Sequence, residues 1–156
     1  MEKAVIALDL GTTGNRAIAF DKNGEIIYSA YKEFPQLHPK PAWVEQNPYD
    51  ILNTAVKVLN ETIEYCVSYN VTSIGITNQR ETTVVWNKKT GKPVYNAIVW
   101  QCRRTAKICG DLSEYRKTIK EKTGLFLDPY FSATKIKWIL DNVGEAKKLK
   151  EKGDLV

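Results

Sequence analysis

Near the start of the 156-residue chain, Asp9, Thr12, Thr13 and Arg16 stand close together in the stretch "IALDLGTTGNRAIAFD". Asp9 closes an apolar run and Gly11 permits a sharp bend. Thr12, Thr13, Gly14 and Asn15 then line the bend with hydroxyls and backbone N–H groups before a second apolar run begins at Arg16. A concave run of donors suits phosphate oxygens, and a carboxylate at a strand end suits Mg²⁺ carried on a phosphate. The turn is a candidate phosphate clasp for a nucleotide. It has neither the GxxxxGK[ST] of a Walker loop nor the GxGxxG of a dinucleotide fingerprint. The same spacing also fits an ordinary glycine-rich hairpin, which needs no ligand.

A second constellation lies in "ITNQRETTVVW", where Gln79, Arg80 and Glu81 follow an apolar run directly. Adjacent Arg and Glu offer forked donors and strong acceptors, a good match to neighbouring hydroxyls of a polyol, although charged loop residues are more often solvated surface. Trp100, in "VWQCRR", could cover the CH edge of a small polyol or sit in the core, and Tyr130, in "LDPYFSATK", could bring a hydroxyl to the same cleft. His38 is the only histidine, so catalysis here would rest on carboxylates, hydroxyls, arginine and a metal.

These residues need elements to position them. Apolar runs at 4–8 and 16–20, an alternating run at 26–34 and the turn "DKNG" at 21–24 predict three strands in an antiparallel meander. "QNPYDILNTAVKVLNETIEYC" predicts a helix with Asn47 as N-cap, Pro48 in its first turn, and one buried stripe at 52, 55, 56, 59, 63 and 66. "VTSIGIT" (71–77) reads as a buried strand, and "TTVVW" and "YNAIVW" flank the turn-rich "NKKTGKP" as a hairpin. After Trp100 the pattern is helical. It comprises "RRTAKIC", a segment capped by Ser113 and ending near Gly124, "SATKIKWILDNVG" between Ser132 as cap and Gly144 as stop, and a charged tail read as a short solvated helix. This order predicts an α/β domain with a mixed sheet, with both constellations near the carboxyl ends of its central strands.

Composition sets the outer bounds. With 43% apolar and 26% charged residues the chain is globular in type, and 23 basic against 18 acidic side chains, a net charge of +5, make a mixed surface that permits nucleic acid without indicating it. Three cysteines, Cys66, Cys102 and Cys109, without CxxC spacing read as thiols of a cytoplasmic protein. No apolar run approaches the roughly 20 residues of a membrane span.

Four segments taken together, "ALDLGTTGNRAIAFD", "PKPAWVEQNP", "IGITNQRETTVVWNKKTGKPVYNAIVWQCRRTA" and "TGLFLDPYFSATKIKWILDNV", resemble the glycerol kinases. These belong to the carbohydrate kinases and have an actin-like, ribonuclease H-like fold. The resemblance runs in order along nearly the whole chain. It implies ATP-dependent phosphorylation of glycerol to sn-glycerol 3-phosphate. It assigns Thr12, Thr13, Gly14 and Arg16 to the nucleotide phosphates, Asp9 to Mg²⁺ and catalysis, and Arg80, Glu81, Trp100 and Tyr130 to glycerol. Where the family usually has Gln after the aspartate and Ser-Ser after the threonines, this chain has Leu10 and Gly14-Asn15. The resemblance further implies that residues 1–156 are the N-terminal portion of the first of two actin-like domains. The catalytic-base aspartate, the adenine pocket and the closing lid then lie outside them, and the 156 residues alone are expected to be inactive or nearly so. Two other readings remain: a ribonuclease H-like nuclease or resolvase, and a non-catalytic chain that associates with a copy of itself or with the missing half through an open sheet edge.

Overall fold

The computed structural model describes residues 1–156, which divide into two compact units, Met1–Pro35 with Tyr49–Gln79 and Gln36–Pro48 with Arg80–Val156. The first holds the predicted meander: β1 (Glu2–Leu10), β2 (Gly14–Asp21) and β3 (Ile26–Glu33), each antiparallel to the next. Its second turn closes as the "DKNG" signal requires. Gly24 adopts φ 85°, and the Asp21 carboxylate accepts the N–H groups of Asn23 and Glu25 at 2.8 and 2.9 Å. β5 (Tyr69–Asn78) adds parallel to β1, giving a mixed sheet in the order β3-β2-β1-β5. One sheet face packs Ile6, Leu8, Ala17, Ala19 and Ala30 against Val58 and Cys66, which lie on or just beyond α1 (Pro48–Tyr65).

Two expectations for this unit need correction. β5 is a strand but not a buried one: it is an edge with β1 as its only neighbour, and Ile74 and Ile76 are 42% and 68% exposed. The apolar stripe of α1 is also centred elsewhere. Its buried residues are Ala55, Val58 and Thr62, whereas Leu52, Val56 and Ile63 are exposed. At about 100° per residue these three sit roughly 60–100° round the helix from Ala55, on the flank of the buried face. Thr62, polar but buried, bonds back to the Val58 carbonyl at 2.8 Å, which lets it occupy the centre.

The second unit has little regular sheet. The expected hairpin exists only as isolated bridges, Thr83 with Ile98 and Trp86 with Pro93, around a turn in which Gly91 has φ 70°. Its partners are shared out instead. β6 (Ala97–Ile98) pairs with β4 (Glu45–Gln46), while Trp86 exchanges both backbone hydrogen bonds with Val156. The helices are α2 (Ala106–Asp111), a 3₁₀ turn (Ser113–Tyr115), α3 (Arg116–Thr123), α4 (Ser132–Asn142) and α5 (Gly144–Glu151). Ser113 opens the 3₁₀ turn and caps nothing, but Gly124, at φ 74°, does end α3. Phe131, not Ser132, is the N-cap of α4, and Gly144 begins α5 instead of stopping its predecessor. The tail is tied down by Asp154, which is buried and paired with Lys89 at 2.7 Å.

The core of this unit gathers Val44, Val85, Ile98, Val99, Cys102, Ile139 and Ala146. Beside it lies a buried ion pair, Arg104 Nη2 to Glu45 Oε1 at 2.7 Å, whose guanidinium lies over the rings of Trp43 and Trp138, 3.9 and 4.6 Å from their centroids. Burial alone would raise the Glu45 carboxyl. Hydrogen bonds from Asn96, Tyr95 and Arg104 outweigh it and hold the group below the usual glutamate range. All three cysteines are free and buried, as expected of thiols. No helix is long and apolar enough to cross a membrane.

Candidate functional site

The turn at 11–14 is held from several sides within the first unit. Gly11 N–H donates to the Gly14 carbonyl at 3.1 Å, and a Cβ on Gly11 would stand 2.8 Å from that oxygen, so the bend admits no side chain there. Gln79 continues β5 into the turn. Its N–H donates to the Leu10 carbonyl at 2.8 Å and its Nε2 to the Gly11 carbonyl at 3.3 Å. Asn15 is fully buried, and its Nδ2 reaches the Ile51 carbonyl and Thr54 Oγ1 at 2.7 and 2.6 Å, fixing the turn to the start of α1.

What the turn presents outward is polar. Asp9 and Arg16 face each other across the β1–β2 register, both exposed, and Asp9 makes no ion pair. Tyr31, which the sequence reading did not single out, completes the group. Its hydroxyl lies 3.2 Å from Thr13 Oγ1, and the Arg16 guanidinium sits 5.1 Å from its ring centroid. Tyr31 and the Lys32 carbonyl together leave position 14 no room for a side chain. A Cβ on Gly14 would meet the Tyr31 ring and hydroxyl at 2.8 Å and the Lys32 carbonyl at 2.5 Å, so a serine cannot be seated there. The Tyr31 phenol instead sets a hydroxyl beside Thr13. Only strand register could have pointed to it, since Tyr31 stands opposite Arg16 on the neighbouring strand.

The second unit brings together three of its four expected residues. Trp100 and Tyr130 meet edge to face, with centroids 6.0 Å apart. Glu81 is linked to the Tyr130 segment through α4: Ser132 Oγ lies 3.3 Å from Glu81 Oε2, and Lys135 Nζ donates to the carbonyls of both Glu81 and Tyr130 at 2.6 Å. Arg80 is exposed and joins none of these contacts. Asp128 sets the Tyr130 loop from below, accepting the Tyr130 N–H at 2.8 Å and pairing with Arg103 at 2.8 Å. Burial would raise its carboxyl, but those two donors hold it below the ordinary aspartate range. Lys135 and Asp128 were not legible as functional parts, because a lysine in "SATKIKW" reads as solvated helix surface. No three His, Cys, Asp or Glu side chains cluster as a metal site, which leaves the nuclease reading without the carboxylate group it requires.

The first unit thus offers a hydroxyl-rich turn at the end of a mixed sheet, and the second an aromatic and acidic cluster suited to hydroxyls. This fold is that of the actin-like carbohydrate kinases. Gluconate kinase from Lactobacillus acidophilus matches it over 91% of this chain with a TM-score of 0.84 at 21% identity. The chain belongs to the FGGY family of carbohydrate kinases, whose N-terminal domain model matches residues 4–152. It is 59% identical to a glycerol kinase of Clostridium botulinum over 160 aligned positions, covering 100% of this chain and 32% of that protein. The crystal structure of Plasmodium falciparum glycerol kinase with ADP superposes with a TM-score of 0.95 at 33% identity, over 99% of this chain and 32% of the other. The chain therefore spans about a third of the length of these relatives.

Proposed function

We propose that these residues serve the ATP-dependent phosphorylation of a terminal glycerol hydroxyl, yielding sn-glycerol 3-phosphate and ADP. The observation that carries the proposal is the joining of Glu81, Trp100 and Tyr130 into one cluster in a chain 59% identical to a glycerol kinase along its whole length. Glu81, with Arg80 next to it, accepts and donates to the polyol hydroxyls, Tyr130 adds a hydroxyl, and the Trp100 face covers the carbon edge. In the other unit, Thr12, Thr13, Gly14 and Arg16 bind nucleotide phosphates. An exposed carboxylate with no ion pair and no neighbouring ligand cluster fits Mg²⁺ bound mainly by phosphate and water, so Asp9 would hold it. There Mg²⁺ would neutralise phosphate charge. Phosphoryl transfer depends on alignment and charge stabilisation, and these residues are positioning parts in it.

Residues 1–156 are read as the N-terminal portion of the first of two actin-like domains, in the cytoplasm, binding ligand but turning it over poorly by themselves. A ¹H–¹⁵N NMR titration of the purified chain tests this. Mg·ADP is expected to shift the Thr12, Thr13 and Gly14 amides, and glycerol the Glu81 amide and the Trp100 indole. A spectrum unmoved by either would sink the proposal for this chain, and glycerol-dependent ATP turnover abolished by Asp9→Ala would overturn its low activity.

A further inference from the structure

Glu81 and Lys135 form an arrangement that the kinase reading does not itself require. Glu81 is one of two non-glycine residues with positive φ, at 61°, a conformation that L side chains adopt rarely and that needs external support. The support is visible. Lys135 is fully buried, and its Nζ directs two of its three donors at the Glu81 and Tyr130 carbonyls, both at 2.6 Å. Ser132, one turn earlier on α4, meets the Glu81 carboxylate at 3.3 Å. A single helix thus grips the two segments that carry Glu81 and Tyr130, which are separated by 49 positions in the sequence.

We infer that Lys135 is the positioning residue of the polyol site: its ammonium clamps the backbone of Glu81 and Tyr130 so that both side chains are fixed before substrate arrives. The inference rests on the reading of Glu81 and Tyr130 as polyol contacts. Burial is the main influence on this amine and lowers its pKa to about 8, while Cys102, Glu81 and Asp128 act in the opposite direction, so the charge persists at neutral pH. A buried charge is costly unless it is well bonded, and here its donors are directed at site backbone, not at a carboxylate. The clamp differs from the Arg104–Glu45 pair, whose side-chain hydrogen bonds run to each other and to Tyr95, Asn96 and Cys102.

Lys135→Met in the 156-residue chain keeps the length of the side chain and removes the donors. In the variant, the Glu81 HN–Hα coupling and intraresidue NOE are expected to show departure from positive φ. The glycerol dissociation constant is expected to rise by about tenfold or more, while the Mg·ADP shifts at Thr12 and Thr13 stay as in the parent. A merely structural lysine would alter both ligands or neither. Unchanged Glu81 φ with glycerol affinity within about twofold overturns the inference. If the parent chain itself ignores glycerol, the polyol reading fails, and the Glu81 coupling still decides whether Lys135 is a clamp. Should the variant not fold, through-hydrogen-bond couplings from Lys135 Nζ to the Glu81 and Tyr130 carbonyl carbons in the parent decide it, and their absence counts against the clamp.

Discussion

At the scale of single residues, the turn that meets phosphate in the proposed reaction is shaped by two glycines for different steric reasons. Gly11 yields to a carbonyl of its own turn, while Gly14 yields to a neighbouring strand, and neither has positive φ. The second constraint lets packing alone explain a glycine at position 14. Gly14→Ser places Cβ 2.5 Å from the Lys32 carbonyl and 2.8 Å from the Tyr31 ring. Overpacking of this kind costs about 1–3 kcal/mol, so the midpoint of urea unfolding is expected to fall. Adding Tyr31→Ala removes the ring but leaves the backbone contact, so only part of the loss should return. Full recovery would show that β3 moves aside freely and that the carbonyl is no constraint.

At the scale of elements, the second unit has little regular sheet and holds one buried charged box beside its core. Arg104 and Glu45 are buried, and the aromatic rings around them exclude water. Removing one member leaves a buried charge without its counterion, at a cost of about 3–5 kcal/mol. Arg104→Met is expected to show this in urea unfolding followed through the fluorescence of Trp43 and Trp138, which pack on the guanidinium. The pH dependence has a definite sign. Because the folded carboxyl of Glu45 lies below its ordinary value of 4.5, its stabilising contribution is complete above that pH. It fades as pH falls through the depressed folded value, since the unfolded state then binds more protons. Acid unfolding of the parent should therefore be steeper below the ordinary glutamate range than that of Arg104→Met, and parallel acid limbs would contradict the assignment. The box also marks where sequence reading stops. The meander, α1 and the Gly24 and Gly124 turns were legible because short-range patterns decide them. Ser132 and Gly144 were misread and the hairpin over 82–100 closes only through isolated bridges, because long-range partners intervene: Glu81 draws the Ser132 hydroxyl, and Val156 takes the backbone of Trp86. Of the candidate site, Thr12, Thr13, Glu81, Trp100 and Tyr130 could be named from residue type and neighbours, whereas Tyr31 and Lys135 required strand register and helix docking.

At the scale of the whole molecule, the unbalanced feature is the sheet of the first unit. β5 has a partner on one side only, and it carries Ile74 and Ile76, on the same side of the sheet as Ile6 and Leu8, at 42% and 68% exposure. The other face of the same strands, with Val5, Ala7 and Asp9 beside Ser73, Gly75 and Thr77, borders an open recess of about 470 Å³. Unpaired strand edges with apolar side chains template association with another chain, and natural sheets usually blunt them with charge, proline or a bulge. Between Tyr69 and Asn78 there is no charged residue and no proline, and the one register shift, at Thr72, lies before Ile74 and Ile76 and leaves their stretch of the edge regular. Since the chain spans 32% of its glycerol kinase relatives, the rest of such a protein is one candidate to cover this edge, and a second copy is another. Alone in solution, the chain is expected to self-associate as its concentration rises, as read by sedimentation velocity. Ile76 shares the α1 side of the sheet with Leu8 but is 68% exposed, so Ile76→Lys places a charge on the edge at a solvent-facing position; it should shift the distribution toward monomer while leaving the thermal midpoint within about 2 °C, as is usual for an exposed substitution. A parent chain that stays monomeric at high concentration would mean that the edge is blunted by its own twist and needs no cover. A variant that dissociates only by unfolding would place the association elsewhere.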